Sequence, residues 1–197
     1  MQLQLDYDLV LGSQSPRRVE ILQKSGLVFE QRVIETDESY PPYLSVELIA
    51  QYIAEAKAAA HKITLTSKEL LITADTIVVY EDVVYGKPKT EKDAFLTLSK
   101  LSGSKHLVYT GVCLMTTQNL QSFSVKSEVH FATLTEEEIK WYIDECAPYD
   151  KAGAYGIQDW IGHVKINSIV GSYTNILGLP MGQLYTALQT FSSSQSE

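Results

Sequence analysis

Apolar and polar residues alternate along this chain in two rhythms, one of strand type and one of helix type. Leu9-Val10-Leu11 is a short apolar run that reads as a buried strand and feeds into Gly12-Ser13-Gln14-Ser15-Pro16-Arg17-Arg18. Ser15 suits an N-cap and Pro16 the first helical position, where a missing N–H costs nothing. Val19, Ile21, Leu22 and Leu27 follow at mostly helical spacing, with Gly26 as the C-cap. Phe29 to Ile34 predicts a second strand, and the polar stretch from Glu35 to Pro42 predicts a loop. Val46 to Ile63 sets Ile49, Ile53, Ala56, Ala60 and Ile63 on one face and is the strongest helix signal in the chain.

Further on, Leu70 to Tyr80 is rich in β-branched residues. With Val83-Val84-Tyr85 across the short Glu81-Asp82 turn, it predicts a hairpin. Thr90 opens a helix that runs through Phe95 and Leu98 to Leu101. His106 to Met115 and Leu120 to Phe131 are two long strands around Gln118-Asn119. Thr135 and Glu138 form a capping-box pair for a helix that runs to about Glu145. Ile161 to Val170 alternates as a strand does, and Pro180 to Phe191 predicts the last helix. Hairpins interrupt the alternation of strands and helices, so the pattern predicts an α/β fold with a mixed, twisted sheet flanked by helices.

Composition narrows the class. At 197 residues, 45% hydrophobic and 20% charged, the chain can bury an ordinary core, which excludes disorder, coiled coil and collagen. Residues 1–191 are expected to form a single domain and residues 192–197 a polar tail. The net charge of −8 argues against a protein that coats nucleic acid, while leaving room for a small anion held by a few local cations. Two cysteines, Cys113 and Cys146, cannot build a disulfide framework and read as core or surface thiols. No run approaches the ~18 apolar residues of a membrane span, and the first residues carry no basic, apolar leader. A soluble cytoplasmic protein without a membrane partner is expected, and a homodimer is compatible with the chain.

Three segments carry candidate chemistry. The turn from Gly12 to Arg18 leads into a helix N-terminus whose unpaired N–H groups suit phosphate. Two arginines there oppose the helix dipole, which makes sense if an anion sits at that end; a surface turn with two solvated arginines is the plainer alternative. Ala74-Asp75-Thr76 places an ionisable side chain inside an apolar strand, where it needs a partner, a metal or a catalytic task; a strand-end aspartate facing solvent is the plainer alternative. Gly86-Lys87-Pro88 follows the hairpin and fixes the position of a lysine. Asp150 to Gln158 combines two glycines, which admit a ligand close to the backbone, with a glutamine amide that can read a base edge. The four histidines show no metal-ligand spacing.

Taken together, Gly12-Ser13-Gln14-Ser15-Pro16-Arg17-Arg18, Ala74-Asp75-Thr76-Ile77-Val78-Val79, Gly86-Lys87-Pro88, Lys151-Ala152-Gly153-Ala154-Tyr155-Gly156-Ile157-Gln158, Gly171-Ser172-Tyr173, Asn175 and Gly178-Leu179-Pro180 resemble the Maf family of nucleoside triphosphate pyrophosphatases. The segments occur in family order and span nearly the whole chain. The resemblance implies a Maf/ITPase-like fold of two lobes around a central cleft. It also implies hydrolysis of a nucleoside triphosphate to the monophosphate and pyrophosphate with a divalent cation, Mg or Mn, in a nucleotide-pool housecleaning role. The segment from Lys151 to Gln158 looks like the branch acting on dTTP and UTP. By the same resemblance Asp75 is the catalytic acidic residue, and Glu38 and Asp75 are the metal ligands. Ser13, Arg18, Lys57 and Lys87 bind phosphate, and Arg17, Thr76 and Gln158 set nucleotide preference. Asp159-Trp160 stands where a glycine commonly follows the glutamine. Two alternatives stay open from sequence: a non-catalytic nucleotide-binding regulator of cell division, and a pyrophosphatase preferring 7-methyl-GTP or other non-standard purines.

Overall fold

The computed structural model describes residues 3 and 5–193. β1 (Asp8–Leu11) is buried along its apolar run. α1 (Pro16–Lys24) starts where Ser15 and Pro16 predict. β2 (Phe29–Gln31) is shorter than the expected 29–34, and α2 (Val46–His61) gives way to one 3-10 turn at Lys62–Thr64. β3 (Glu69–Tyr80) and β4 (Val83–Tyr85) form the predicted antiparallel hairpin. Glu81 and Asp82 both take positive φ, 49° and 59°, as tight two-residue hairpin turns require. α3 (Glu91–Leu101) and α4 (Glu136–Cys146) each begin on a complete capping box, Thr90 with Asp93 and Thr135 with Glu138. Such caps contribute about 1 kcal/mol each. Between them run β5 (Lys105–Met115) and β6 (Leu120–Phe131). The chain ends with α5 (Trp160–Val164), β7 (Ile166–Val170), α6 (Tyr173–Leu177) and α7 (Met181–Ser193).

The seven strands form one mixed sheet in the order β2-β1-β3-β5-β6-β7, with β4 hydrogen-bonded to β3 off that path. β1 runs parallel to β2 and β3, whereas β3–β4 and β6–β7 are antiparallel. The chain divides into two compact units. One comprises Met1–Asp75, Thr110–Val125 and Gly178–Glu197; the other comprises Thr76–Tyr109 and Lys126–Leu177. The first packs Val10, Ala54, Ala58, Leu71, Cys113 and Met115 together. Burial pushes the Cys113 thiol up to about 12, so it behaves as a core residue. The second has a core that includes Leu98, Val129, Phe131, Ile139, Tyr142 and Ile161.

Three expectations need correction. The buried face of α2 is Ile49, Ala50, Ile53, Ala54, Ala58 and His61, not the face through Ala56, Ala60 and Ile63. Ile63 lies beyond the helix and is 94% exposed. An alanine-rich helix has little apolar contrast from face to face. Its smallest side chains decide which way it turns, because they let the backbone come close enough for the Thr73 hydroxyl to donate to the Ala54 carbonyl at 2.7 Å. Residues 161–164 belong to helix α5 rather than to the strand predicted from 161 to 170, which begins at Ile166. Residues 192 and 193 continue α7, while 194–197 of the predicted polar tail lie outside the described residues.

Candidate active site

In the first unit, the turn between β1 and α1 is built around Ser13. Its hydroxyl accepts from the Ser15 N–H at 3.3 Å and from Arg18 Nη1 at 3.0 Å, and its carbonyl accepts from Gln31 Nε2 at 2.7 Å. Arg18 is buried, and its Nε donates to the Gly178 carbonyl at 2.8 Å, tying the first turn of α1 to the entry of α7. Burial lowers the guanidinium's affinity for its proton, Asp75 pulls it back up, Arg17 lowers it and Glu38 raises it. Those four charged groups therefore share one local field. At its centre, Lys57 on α2 places Nζ 2.7 Å from Asp75 Oδ1 and 2.7 Å from Glu38 Oε1. Asp75 is buried at the point where β3 leaves this unit, and Glu38 is half exposed on the loop after β2. That loop is shaped locally by Asp37, which accepts from the Ser39 N–H at 2.9 Å and its hydroxyl at 2.7 Å. His61, one turn after Lys57, spans the carbonyls of Lys57 and Arg32 at 2.8 and 3.0 Å and holds the helix end against that segment.

In the second unit, Thr76 follows Asp75 on β3, and Lys87 is exposed on the loop after β4. The Gly86 carbonyl in that loop accepts from the Gly153 N–H at 3.2 Å, joining it to the glycine-containing segment. Residues 153–157 are buried. The Tyr155 hydroxyl meets His106 Nε2 at 2.8 Å, and both rings pack edge-on against Phe131 with centroids 4.8 Å away. Gln158 is half buried, and its Oε1 is shielded from solvent without a hydrogen-bond partner.

The family model of Maf-like proteins matches residues 8–191. The chain belongs to the Maf family. A relative from Parabacteroides distasonis, named dTTP/UTP pyrophosphatase, is 50% identical over 94% of this chain and 96% of its own length. Proteins of the same name from Phocaeicola vulgatus and Porphyromonas gingivalis are 50% and 44% identical, over 93% and 95% of this chain and 95% and 96% of their own lengths. Among solved structures, the "Nucleoside-triphosphatase / dITP/XTP pyrophosphatase" of Mycobacterium abscessus matches over 96% of this chain and 100% of its own, at 10% identity and a TM-score of 0.42.

The residues picked out by likeness to the Maf family thus fall into two groups. Ser13, Arg17, Arg18, Glu38, Lys57 and Asp75 belong to the first unit; Thr76, Lys87 and Gln158 belong to the second. Within the first, Ser13 meets Arg18, and Lys57 meets both carboxylates. Sequence reasoning missed Gln31 and the Gly178 carbonyl, which hold Ser13 and Arg18 from far along the chain. It also missed Tyr142, which it read only as part of a helix. A tyrosine on the apolar face of a helix is itself a signal, because a buried hydroxyl needs a partner.

The donor set bears on the cation that the Maf family implies. Asp75 and Glu38 lie within reach of one ammonium group, and each has a second oxygen besides the one that Lys57 takes. Among the described residues no three His, Cys, Asp or Glu side chains cluster as metal ligands. Two carboxylates suit a hard dication of the magnesium type, which keeps water and substrate phosphate in the rest of its shell. They do not suit a structural zinc, which takes four protein ligands.

Proposed function

We propose that this protein hydrolyses dTTP and UTP to the monophosphate and pyrophosphate, as a housecleaning enzyme of the cytoplasmic nucleotide pool. The observation that carries the reading is the Lys57 bridge between Asp75 and Glu38, beside the buried Arg18. It gathers two carboxylates and fixed cations around one point in a chain whose net charge is −8, so the local field departs from the global one. Relatives named dTTP/UTP pyrophosphatase at up to 50% identity supply the substrate class.

Phosphoryl-type transfer leaves a protein mainly positioning and charge stabilisation to perform. Asp75, whose Oδ1 is held by Lys57, takes the proton of the attacking water on its carboxylate. Lys57 orients that carboxylate and, with Arg17 and Arg18, balances phosphate charge; Ser13 and Lys87 are assigned to phosphate as well. A divalent cation, Mg²⁺ or Mn²⁺, bound by Asp75 and Glu38 would supply charge neutralisation on the phosphates. Thr76 and Arg17 shape preference between nucleotides. Gln158 reads the base: uracil and thymine present one N–H between two carbonyls, which a single amide can match with an acceptor and a donor. Its orphaned Oε1 supports that role, because a shielded acceptor without a partner costs about 1–3 kcal/mol until a donor reaches it.

The test is pyrophosphate release from dTTP and UTP by the wild type and by Asp75→Asn, with magnesium present. Asp75→Asn keeps the shape and removes the base, so kcat should fall at least ~10²-fold. Near-normal turnover by that variant would overturn the assignment of Asp75. No pyrophosphate from either nucleotide with the wild type would overturn the function.

A further inference from the structure

We infer that Tyr142 is a positioning residue for base selectivity: acting through Asp159, it locks the turn that carries Gln158. The inference rests on the reading of Gln158 as the base-reading side chain. Residues 156–159 form a tight turn closed by the Asp159 N–H donating to the Gly156 carbonyl at 3.1 Å. Gln158 is its third residue. The Tyr142 hydroxyl, reaching from α4, ties the two ends together. It accepts from the Gly156 N–H at 3.0 Å and donates to Asp159 Oδ2 at 2.9 Å. The turn is thus closed twice, once by backbone and once by a hydroxyl fixed in the core, for the Tyr142 side chain has no exposed surface. Burial pushes that hydroxyl above its ordinary range, which keeps it a donor to the carboxylate. Lys151 Nζ adds positive charge 3.7 Å from the same Asp159 oxygen.

Crowding shows how closely Gln158 follows this lock. A Cβ on Gly156 would lie 2.4 Å from Asp159 Oδ2 and 2.9 Å from Gln158 Nε2. Both side chains therefore fold over the same glycine. A Cβ on Gly162 of α5 would strike the Ile157 carbonyl, so the helix presses on the turn from the other side. Asp159 has a second task as the residue that starts α5, but its side chain makes no cap bond there. The carboxylate goes to Tyr142 instead. A hydrogen-bonding side chain discriminates between similar bases only when its direction is fixed beforehand. This arrangement also gives Asp159 a purpose at the position where the Maf resemblance leads one to expect glycine.

The experiment measures kcat/KM for dTTP and dCTP, with magnesium, in the wild type, Tyr142→Phe, Asp159→Ala, Asp159→Asn and Gln158→Ala. The ratio of the two values does not change with the fraction of folded enzyme, so general destabilisation cannot mimic the effect. Tyr142→Phe and Asp159→Ala should each lower the dTTP preference about three- to tenfold, the loss of one or two hydrogen bonds. Asp159→Asn keeps an acceptor for the tyrosine and should stay within about twofold of the wild type. Asp159→Ala, on a side chain that is only partly buried, keeps the test open if Tyr142→Phe does not fold. If Gln158→Ala lowers the preference while Tyr142→Phe and Asp159→Ala leave it unchanged, this inference falls and the reading of Gln158 stands. If Gln158→Ala leaves it unchanged, both fall.

Discussion

The two groups of candidate residues are held in opposite ways. In the first unit the order is ionic: Lys57 spans two carboxylates, and Arg18 is clamped by a hydroxyl and a distant carbonyl. In the second unit it is mostly neutral and steric, with the Asp159 carboxylate held by the Tyr142 hydroxyl and near Lys151. A tyrosine hydroxyl and close-packed glycines shape the turn that carries Gln158, and the buried His106 backs Tyr155 earlier in the same segment. The difference matches the tasks assigned to them. Triphosphate carries several negative charges and is met by three cations, Arg17, Arg18 and Lys57, set against two carboxylates, Asp75 and Glu38. A pyrimidine edge is uncharged and must be met by direction, which comes from packing and from an acceptor left unsatisfied. Ionic partners can be exchanged for a substrate's charges, whereas a packed turn keeps one shape.

The comparison can be broken first at Lys57. Lys57→Gln removes the cation between Asp75 and Glu38 and leaves two carboxylates facing each other. Turnover of dTTP should fall on the order of 10²-fold, the scale for losing one placed electrostatic donor, as read by steady-state pyrophosphate release. A loss below about twofold would mean that the bridge is structural only.

His106 sharpens the neutral side of the comparison. Burial, with a smaller push from His130, lowers its pKa from 6.5 to about 4. Between those values the unfolded chain binds more protons than the folded one. Its contribution to stability is therefore complete above pH 6.5 and is lost as the pH falls towards 4, by up to about 3 kcal/mol. His106→Gln should flatten that limb of a denaturation series run from pH 7 to pH 4; an unchanged slope would show that His106 does not shape it.

Smaller effects separate the two neighbouring arginines. Arg18→Met removes one donor each from the Ser13 hydroxyl and the Gly178 carbonyl and should cost about 2 kcal/mol in urea unfolding. Arg17→Ala should cost less stability than Arg18→Met while lowering kcat/KM. Equal stability costs would erase the division between a clamped and a substrate-facing arginine. Smallest of all, Lys87→Ala on its exposed loop should reduce kcat/KM for dTTP about threefold to tenfold, as expected for one charge-assisted contact, without shifting the melting temperature.

How much of this was legible in the sequence follows from the range of the forces involved. The Glu81-Asp82 hairpin, the Thr90 and Thr135 capping boxes and the Ser15-Pro16 helix start depend on neighbours within four residues, and all were readable. The rotation of α2 was not, because alanines encode no preferred face and the contact with Thr73 is set by the sheet. Helix α5 hid inside an alternating pattern, since five residues cannot establish a helical period against a strand-like one. At the candidate site, Asp75 stood out as a charge in an apolar strand, and the Gly12–Arg18 turn stood out by its arginines. The partners that hold them, Gly178 for Arg18 and Gln31 for Ser13, lie 160 and 18 residues away and leave no local trace. Tyr142 lies 17 residues before Asp159, and only the folded chain brings its hydroxyl to both ends of one turn.

The most direct test of the whole account is a nucleotide panel run on the wild-type protein with magnesium: dTTP, UTP, dCTP, CTP, GTP, ITP and 7-methyl-GTP, with both products identified. The account predicts that dTTP and UTP yield dTMP and UMP with equimolar pyrophosphate. It predicts that the cytosine nucleotides are turned over about tenfold or more slowly, the cost of one mismatched polar group, and the purines more slowly still. Faster turnover of CTP, of 7-methyl-GTP or of another purine, or release of orthophosphate and a nucleoside diphosphate in place of pyrophosphate, would contradict it.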